Sequence, residues 1–249
     1  MQPSVKSLFI KTAKGNPMVA VHSLTLKKGY GIENDINANK ISPRQVLITR
    51  QEDLDEFNIQ PGAIRENITT IGIPIALFHP GNLLIIGATK IRLTFYCEPC
   101  KRITPFVNPK KIIKKRGILG VIIKSGEISL RDKIKVQENV YAPLPEEPYK
   151  RFLNFIAQTP NGKVVTYKEI IACIGVANSY MRIIPAYLKK TTEKYPIHRI
   201  VDTKGYLIEK YVLHQREQLK QENVEIEEKE GLLKINLEKH LWQDDNLYQ

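Results

Sequence analysis

The sequence predicts a mixed chain of two domains: an N-terminal β-barrel domain over residues 1–140 and a C-terminal, mainly α-helical domain of winged or helix-turn-helix type over residues 149–249. Three observations predict it. Three prolines fall within Tyr141-Ala-Pro-Leu-Pro-Glu-Glu-Pro148, a run that neither a helix interior nor a central strand tolerates. Before this stretch the apolar residues come in short β-branched runs. After it they recur at helical spacing. Residues 141–148 therefore read as a short, semi-rigid linker.

Each element has its own signal. Gln45-Val-Leu-Ile-Thr49, Leu83-Leu-Ile-Ile86, Lys90-Ile-Arg-Leu-Thr-Phe95 and Gly120-Val-Ile-Ile-Lys124 are β-branched runs bounded by Gly, Pro or Asn, which predicts strands. Ser125-Gly-Glu-Ile128 reads as a hairpin turn, and Glu52 to Phe57 as a short helix. Several short strands at this spacing suggest a barrel. Beyond the linker, Phe152, Leu153, Phe155 and Ile156 give Tyr149–Gln158 one apolar helical face. Pro160-Asn-Gly162 is a turn, and Val164-Val-Thr166 is a brief strand or a lead-in to the next helix. Thr166 and Glu169 have capping-box spacing. A helix follows from Tyr167 to Ile174, Gly175 stops it, and a second runs from Ser179 to Lys190. Helix, Gly-containing turn, helix is the helix-turn-helix pattern.

Composition narrows the function classes. The 249 residues carry a formal net charge of +12. Residues 1–140 hold 22 Lys/Arg against 11 Asp/Glu, residues 150–220 hold 13 against 5, and residues 221–249 hold 3 against 8. Two basic bodies and an acidic tail fit a protein that binds a polyanion; a solubilising surface charge is the plainer alternative. No apolar run approaches the roughly 20 residues of a membrane span, so no membrane partner is expected. Met1–Lys11 lacks a signal-peptide core. Three cysteines do not build a secreted disulfide scaffold. The expected location is the cytoplasm.

The C-terminal domain carries a recognisable set of motifs. Thr159-Pro-Asn-Gly-Lys-Val-Val-Thr-Tyr-Lys-Glu-Ile-Ile-Ala-Cys-Ile-Gly175, Pro196-Ile-His-Arg-Ile-Val201 with Gly205, and Leu219-Lys-Gln-Glu222 occur in order. Together they resemble the O6-alkylguanine-DNA alkyltransferases: the entry to the helix-turn-helix, the active-site strand, and the closing Glu-bearing helix. The family's chemistry needs a thiolate, activated through a neighbouring His and a Glu, that attacks the alkyl carbon in one irreversible displacement. Ile197 stands at that position between Pro196 and His198, and isoleucine has no lone pair to offer. Cys173 falls in the first helix of the helix-turn-helix, where it packs. Alkyl transfer is therefore excluded, and the resemblance narrows to the alkyltransferase-like subfamily, which binds alkylated guanine without repairing it and flags it for excision-repair proteins. It implies a lesion pocket of Pro196, Ile197, His198, Arg199 and Glu222, with duplex DNA as partner. Arg182 matches the finger that fills the space left by the flipped base, and Tyr167 the contact to its phosphate. The bland alternatives are a surface arginine, a half-buried tyrosine and a core histidine at His198. The family's Asn-Pro hinge is replaced here by Lys189-Lys-Thr-Thr-Glu-Lys194.

Residues 29–136 resemble the MOSC domain, the β-barrel module of molybdenum-cofactor sulfurases. The matching stretches include Gly29-Tyr-Gly-Ile-Glu-Asn-Asp35, Arg44-Gln-Val46, Pro61-Gly-Ala-Ile-Arg-Glu-Asn-Ile-Thr69 and Glu98-Pro-Cys100. The resemblance implies molybdenum cofactor (molybdopterin) bound through Cys100, a possible molybdenum ligand and catalytic candidate, with pyridoxal phosphate binding as an associated property. A soft thiolate suits molybdenum or the carriage of sulfur. Arg44, Arg65 and Lys101 offer charge to an anionic pterin phosphate, and Asn67 and Thr69 offer neutral hydrogen bonds. Cys97-Glu-Pro-Cys100 is equally a CxxC, open to reading as a redox pair, half a zinc site or two structural thiols. Lys110-Lys-Ile-Ile-Lys-Lys-Arg116 reads as a solvated loop, with phosphate contact as the sharper option.

The leading expectation is thus a DNA-lesion reader fused to a MOSC domain. Two rivals stand beside it. One is a molybdenum-cofactor-dependent enzyme acting on N-hydroxylated compounds or modified bases. The other is a sulfur- or cofactor-handling protein unrelated to DNA.

Overall fold

The structure is a computed structural model that describes residues 2–38, 41–229 and 231–243. The end of the acidic tail, residues 244–249, lies outside the described residues. The chain divides between Glu146 and Glu147 into two compact units.

The first unit contains β1 (Ser4–Ile10), β2 (Val19–Val21), β3 (Ser23–Lys27), β4 (Gly31–Ile32), β5 (Val46–Arg50), α1 (Gln51–Glu56), β6 (Ile68–Ile71), β7 (Leu83–Ile86), β8 (Thr89–Tyr96), β9 (Ile118–Lys124), β10 (Gly126–Ser129) and β11 (Ile134–Gln137). An eight-stranded sheet runs in the order β11-β7-β8-β9-β5-β6-β1-β2, and β10-β3-β4 forms a second sheet. The large sheet closes on itself. Ser4 bridges Lys133, the Val5 amide donates to the Asp132 carbonyl at 2.9 Å, and Ile134 donates to Pro3 at 2.9 Å. Closure covers the β11 edge, which would otherwise invite pairing with other chains. The barrel is filled by Val5, Leu8, Val46, Ile48, Ile68, Leu84, Ile86, Leu93, Ile118 and Ile122 among others.

β5 is buried along its whole length, which is why Val46-Leu-Ile48 reads as a continuous apolar run rather than an alternation. Ser125–Ile128 is not a hairpin turn. Gly126–Ser129 crosses to the second sheet and pairs with β3, Gly126 opposite Leu26. A Cβ on Gly126 would lie 2.5 Å from Thr89 Oγ1, so this glycine serves close packing rather than a turn. The first part of the expected linker is also fastened down. The Tyr141 amide donates to the Gly81 carbonyl at 3.0 Å, Arg92 Nη2 donates to the Ala142 carbonyl at 3.0 Å, and Leu144 packs on Leu47, Phe95, Cys97 and Leu119.

The second unit holds α2 (Pro148–Ala157), β12 (Val165–Thr166), α3 (Tyr167–Cys173), α4 (Ile184–Lys190), β13 (Ile200–Val201), α5 (Gln215–Gln221), β14 (Ile226–Lys229), β15 (Leu232–Ile235) and α6 (Leu237–His240). Pro148, read as linker, opens α2 as its first helical residue, where its missing N–H costs nothing. Thr166 caps α3, accepting from the Lys168 amide at 3.2 Å and donating its hydroxyl to Glu169; such a cap contributes about 1 kcal/mol. Gly175, at φ 66°, ends the turn after α3. The helix expected over Ser179–Lys190 is divided: Asn178–Ile183 is a 3-10 helix and only Ile184–Lys190 is α-helical. Pro185 explains the division, because proline is accommodated in the first turn of a helix and not in its interior. The chain bends by 120° between α3 and the 178–190 segment, within the range of helix-turn-helix units. Among the described residues no single helix is long and apolar enough to cross a membrane.

Candidate functional site

The second unit gathers its polar residues around the segment that holds Ile197. Pro196-Ile-His-Arg199 is not a strand. Ile197–Arg199 forms a 3-10 turn, with the Ile197 amide donating to Tyr195 at 2.7 Å and the Arg199 amide to Pro196 at 3.1 Å. These local bonds curl the segment before β13 begins. β13 then pairs in parallel with β12, Thr166 opposite Val201, which brings Tyr167 beside Asp202.

Glu222, just past the end of α5, is the hub of the site. His198 Nε2 lies 2.8 Å from Glu222 Oε1. Arg199 Nε donates to both carboxylate oxygens at 3.0 and 2.9 Å, and Nη2 donates at 2.6 Å. The Gly162 amide adds a bond of 3.2 Å to Oε2. Arg199 Nη1 also donates to the Thr159 carbonyl at 2.6 Å. Burial alone would raise the Glu222 carboxyl, but the hydrogen bonds from Arg199 and His198 outweigh it and lower it to about 2. A fork of charge-assisted bonds of this kind fixes geometry as well as charge. The turn at Pro160-Asn-Gly162 thus supplies a donor to the site, and the left-handed φ of Gly162, 73°, is what the turn requires.

Tyr167 is half-buried at the start of α3. Burial, with Tyr211 and Asp202 nearby, pushes its phenol up to about 12, so it stays a neutral hydroxyl able to donate to an anion. Arg182 stands exposed on the 3-10 helix that precedes α4. Ile197 itself is half-buried. Cys173 is buried at 2% exposure and offers no substitute thiol. His198, Arg199 and Glu222 are therefore brought into direct contact, while Tyr167 and Arg182 belong to the neighbouring helix-turn-helix.

Sequence reasoning missed Gln215. Its side chain is fully buried; Nε2 donates to the carbonyls of His198 at 3.0 Å and Ile200 at 2.7 Å, and Oε1 accepts from the Ile208 amide at 2.6 Å. It ties the turn carrying Ile197 to α5. Its only trace in the sequence is a polar residue one helical turn before the buried Leu219. His240 was missed too: Nδ1 lies 3.0 Å from the Gly162 carbonyl and Nε2 accepts from the Glu225 amide at 3.3 Å, linking α6 to the same turn.

In the first unit, Cys100 is half-buried, before the 3-10 helix Lys101–Ile103. Cys97 is buried, and burial pushes its thiol up, with Arg116 and Arg44 opposing that rise. Arg116, Arg44 and Cys100 thus all lie near Cys97. Arg116 Nη1 donates to the Glu98 carbonyl, and its Nε is buried without a hydrogen-bond partner. Arg65 is exposed, at φ 70°. Two residues expected to offer neutral hydrogen bonds face inward instead. Asn67 Oδ1 accepts from the Leu47 amide at 3.1 Å, and its Nδ2 reaches Phe9 at 3.3 Å and Asp35 at 3.1 Å. Thr69 is fully buried with its hydroxyl on Glu66 at 3.2 Å. Asn67 ties neighbouring strands together and Thr69 bonds locally to Glu66, so the polar groups of both are already engaged within the fold.

These residues fit molybdenum cofactor in part. A half-buried thiol suits a soft metal, and the arginines near the nearby Cys97 suit an anionic group. Among the described residues no group of three or more His, Cys, Asp or Glu could hold a metal ion, so the metal would arrive with ligands of its own.

Residues 147–229 match the DNA-binding domain of 6-O-methylguanine DNA methyltransferase, and residues 38–136 match the MOSC domain. Each match covers part of the chain: a MOSC-type segment is followed by a segment similar to an alkyltransferase DNA-binding domain. The alkyltransferase-like domain is similar to Alkyltransferase-like protein 1 of Schizosaccharomyces pombe, 29% identical over 104 residues that cover 39% of this chain and 95% of that protein. It also matches the crystal structure of S. pombe Atl1 in complex with damaged DNA containing O6-carboxymethylguanine, at 28% identity and a TM-score of 0.37, covering 41% of this chain and 99% of that one. The MOSC domain matches the crystal structure of the YuaD protein from Bacillus subtilis, at 18% identity and a TM-score of 0.48, covering 55% of this chain and 96% of that one.

Proposed function

We propose that this protein binds duplex DNA carrying an O6-alkylguanine and holds the flipped base without accepting its alkyl group. The observation that carries the reading is the intact His198–Arg199–Glu222 network around a position filled by isoleucine. A network kept without its nucleophile has binding, not transfer, as its remaining use. The neutral hydroxyl of Tyr167 and the exposed Arg182 support the roles of phosphate contact and intercalating finger. The S. pombe relative, seen on DNA containing O6-carboxymethylguanine, supports the ligand class. On this reading the half-buried Ile197 gives the pocket an apolar wall against the alkyl chain, and excision-repair proteins act on the flagged site in the cytoplasm. Fluorescence anisotropy on duplexes with and without one O6-methylguanine tests it. Tighter binding to the lesion, with no radiolabel passing from a methyl-labelled duplex to the protein, is expected. Equal affinity for the two duplexes sinks lesion recognition, and unchanged binding by Arg182→Ala sinks the finger role.

The half-buried Cys100, with Arg44 and Arg116 near the neighbouring Cys97, favours a second reading for the MOSC domain: cofactor-dependent chemistry on N-hydroxylated or otherwise modified bases. Cys100 would ligate the molybdenum, Arg44 and Arg116 would hold the anionic part of the group, and the cofactor would supply the redox step. Metal analysis of protein purified from a cofactor-competent host decides this, and absence of molybdenum there overturns it. Recovery of a persulfide on Cys100 would instead indicate sulfur handling.

A further inference from the structure

Between Glu98 and Glu127 the chain carries eight Lys or Arg and no Asp or Glu. Some of these charges are occupied. Arg116 is buried, Lys115 pairs with Glu56 at 2.6 Å, and Lys114 pairs with Glu146 at 3.6 Å. Lys101, Arg102, Lys110 and Lys111 are exposed and have no ion pair among the described residues. Two large apolar side chains stand exposed in the same segment, Phe106 at 48% and Ile113 at 57%.

This surface is held in shape from beneath. Ile103 and Ile112 are buried in a cluster with Leu54, Ile59 and Ile64. Tight turns fix the rest: Phe106 donates to Ile103 at 2.9 Å, Lys111 to Asn108 at 2.9 Å, and Arg116 to Ile112 at 3.1 Å. The Asn108 side chain accepts from the Lys110 amide at 3.0 Å. Ile103 and Ile112 pointing inward, with lysines outward, give a preorganised cationic array, which loses less conformational freedom on binding than a loose tail would.

We propose that residues 101–114 of the MOSC domain form a second nucleic-acid contact, gripping the phosphate backbone of a duplex without regard to base. Lysines neutralise backbone phosphates and release their counterions, and the exposed phenylalanine among them can pack on a backbone sugar. Lysines around exposed Phe and Ile would also suit an anionic membrane surface. Nucleic acid is favoured because residues 150–220 of the same chain are also strongly basic, with 13 Lys/Arg against 5 Asp/Glu, and match a DNA-binding domain. Two like-charged surfaces on one chain raise affinity for the one polyanion they share. The contact does not rest on lesion recognition.

The test uses the full chain, its Lys110→Ala/Lys111→Ala variant and its Arg182→Ala variant. Anisotropy is read on an unmodified duplex across a potassium chloride series, on the O6-methylguanine duplex, and on vesicles with and without phosphatidylserine. Each phosphate contact contributes about 0.9 to the slope of log affinity against log salt. The double variant is expected to lower the slope by about 2 and to weaken binding between about 10- and 100-fold at 0.1 M salt, equally on both duplexes. Its ratio of lesion to unmodified affinity stays that of the parent. An unchanged slope and affinity overturns the proposal, and vesicle binding lost in the double variant while DNA binding is kept assigns the surface to lipid and overturns it too. Loss of lesion preference in the parent protein would refute the lesion reading and leave the salt slope to judge this contact separately. Retained thermal stability of the double variant shows that the change acts on binding.

Discussion

Glu222 binds three residues, His198, Arg199 and Gly162, through one carboxylate, and that arrangement has a pH signature. Its carboxyl is lowered in the folded chain to about 2, against an ordinary 4.5. A carboxylate with a depressed folded value contributes stability that is complete above the unfolded value and is lost as pH falls from about 4.5 towards 2. The shift corresponds to up to about 3 kcal/mol, and to about 1–2 kcal/mol once solvent screening of this site is allowed for. Urea midpoints of the wild-type protein should therefore fall between pH 5 and 3, and Glu222→Gln should be destabilised at neutral pH with a flatter pH profile. The motif around Ile197 and its partner Glu222 were legible in the sequence because their residue types and order match a known family. Their contacts were not, since residues 198 and 222 meet only through the fold. Gln215 was illegible for a different reason: a glutamine in a helix is ordinarily a solvent-facing residue, and only its three backbone partners in the fold give it a role. Gln215→Leu leaves those three groups unpaired, which predicts a loss of more than about 3 kcal/mol by urea unfolding, together with loss of any lesion preference in anisotropy.

Elements were legible where their hydrophobic pattern was continuous. β5, β7, β8 and β9 all appeared as apolar runs, because each lies near the middle of a closed barrel and is buried on most of its length. β1 did not, because polar residues interrupt Ser4-Val-Lys-Ser-Leu-Phe-Ile10 and its burial follows no simple alternation. Its register shifts between Val5 and Ser7 where it pairs with β6, and such a bulge breaks the period of two. The hairpin β14–β15 was missed because Ile226-Glu-Glu-Lys229 is mostly charged. Gly117 illustrates what an element junction demands. Its φ is 109°, and a Cβ there would lie 2.3 Å from the Ile48 carbonyl oxygen. Both conditions exclude a side chain, so Gly117→Ala should cost more than about 2 kcal/mol. Chemical denaturation of the full chain checks this, and a change below about 0.5 kcal/mol contradicts the close approach.

Across the whole molecule, two units with separate cores predict two calorimetric transitions. Glu222→Gln should shift the transition of residues 147–243 and leave that of residues 2–146 in place. A single transition moving as one would contradict this independence. Charge follows the same division, and both units carry an excess of Lys and Arg over Asp and Glu before the acidic C-terminal stretch. The turn that presents Ile197 has a consequence in time. A protein that takes an alkyl group onto its own sulfur is consumed by a single event and must be synthesised again. With isoleucine there, every proposed encounter with a lesion ends in release, and one copy can visit many sites. What a cell would then regulate is the number of copies and how long each one stays, because dwell time, in place of a permanent chemical mark, becomes the message.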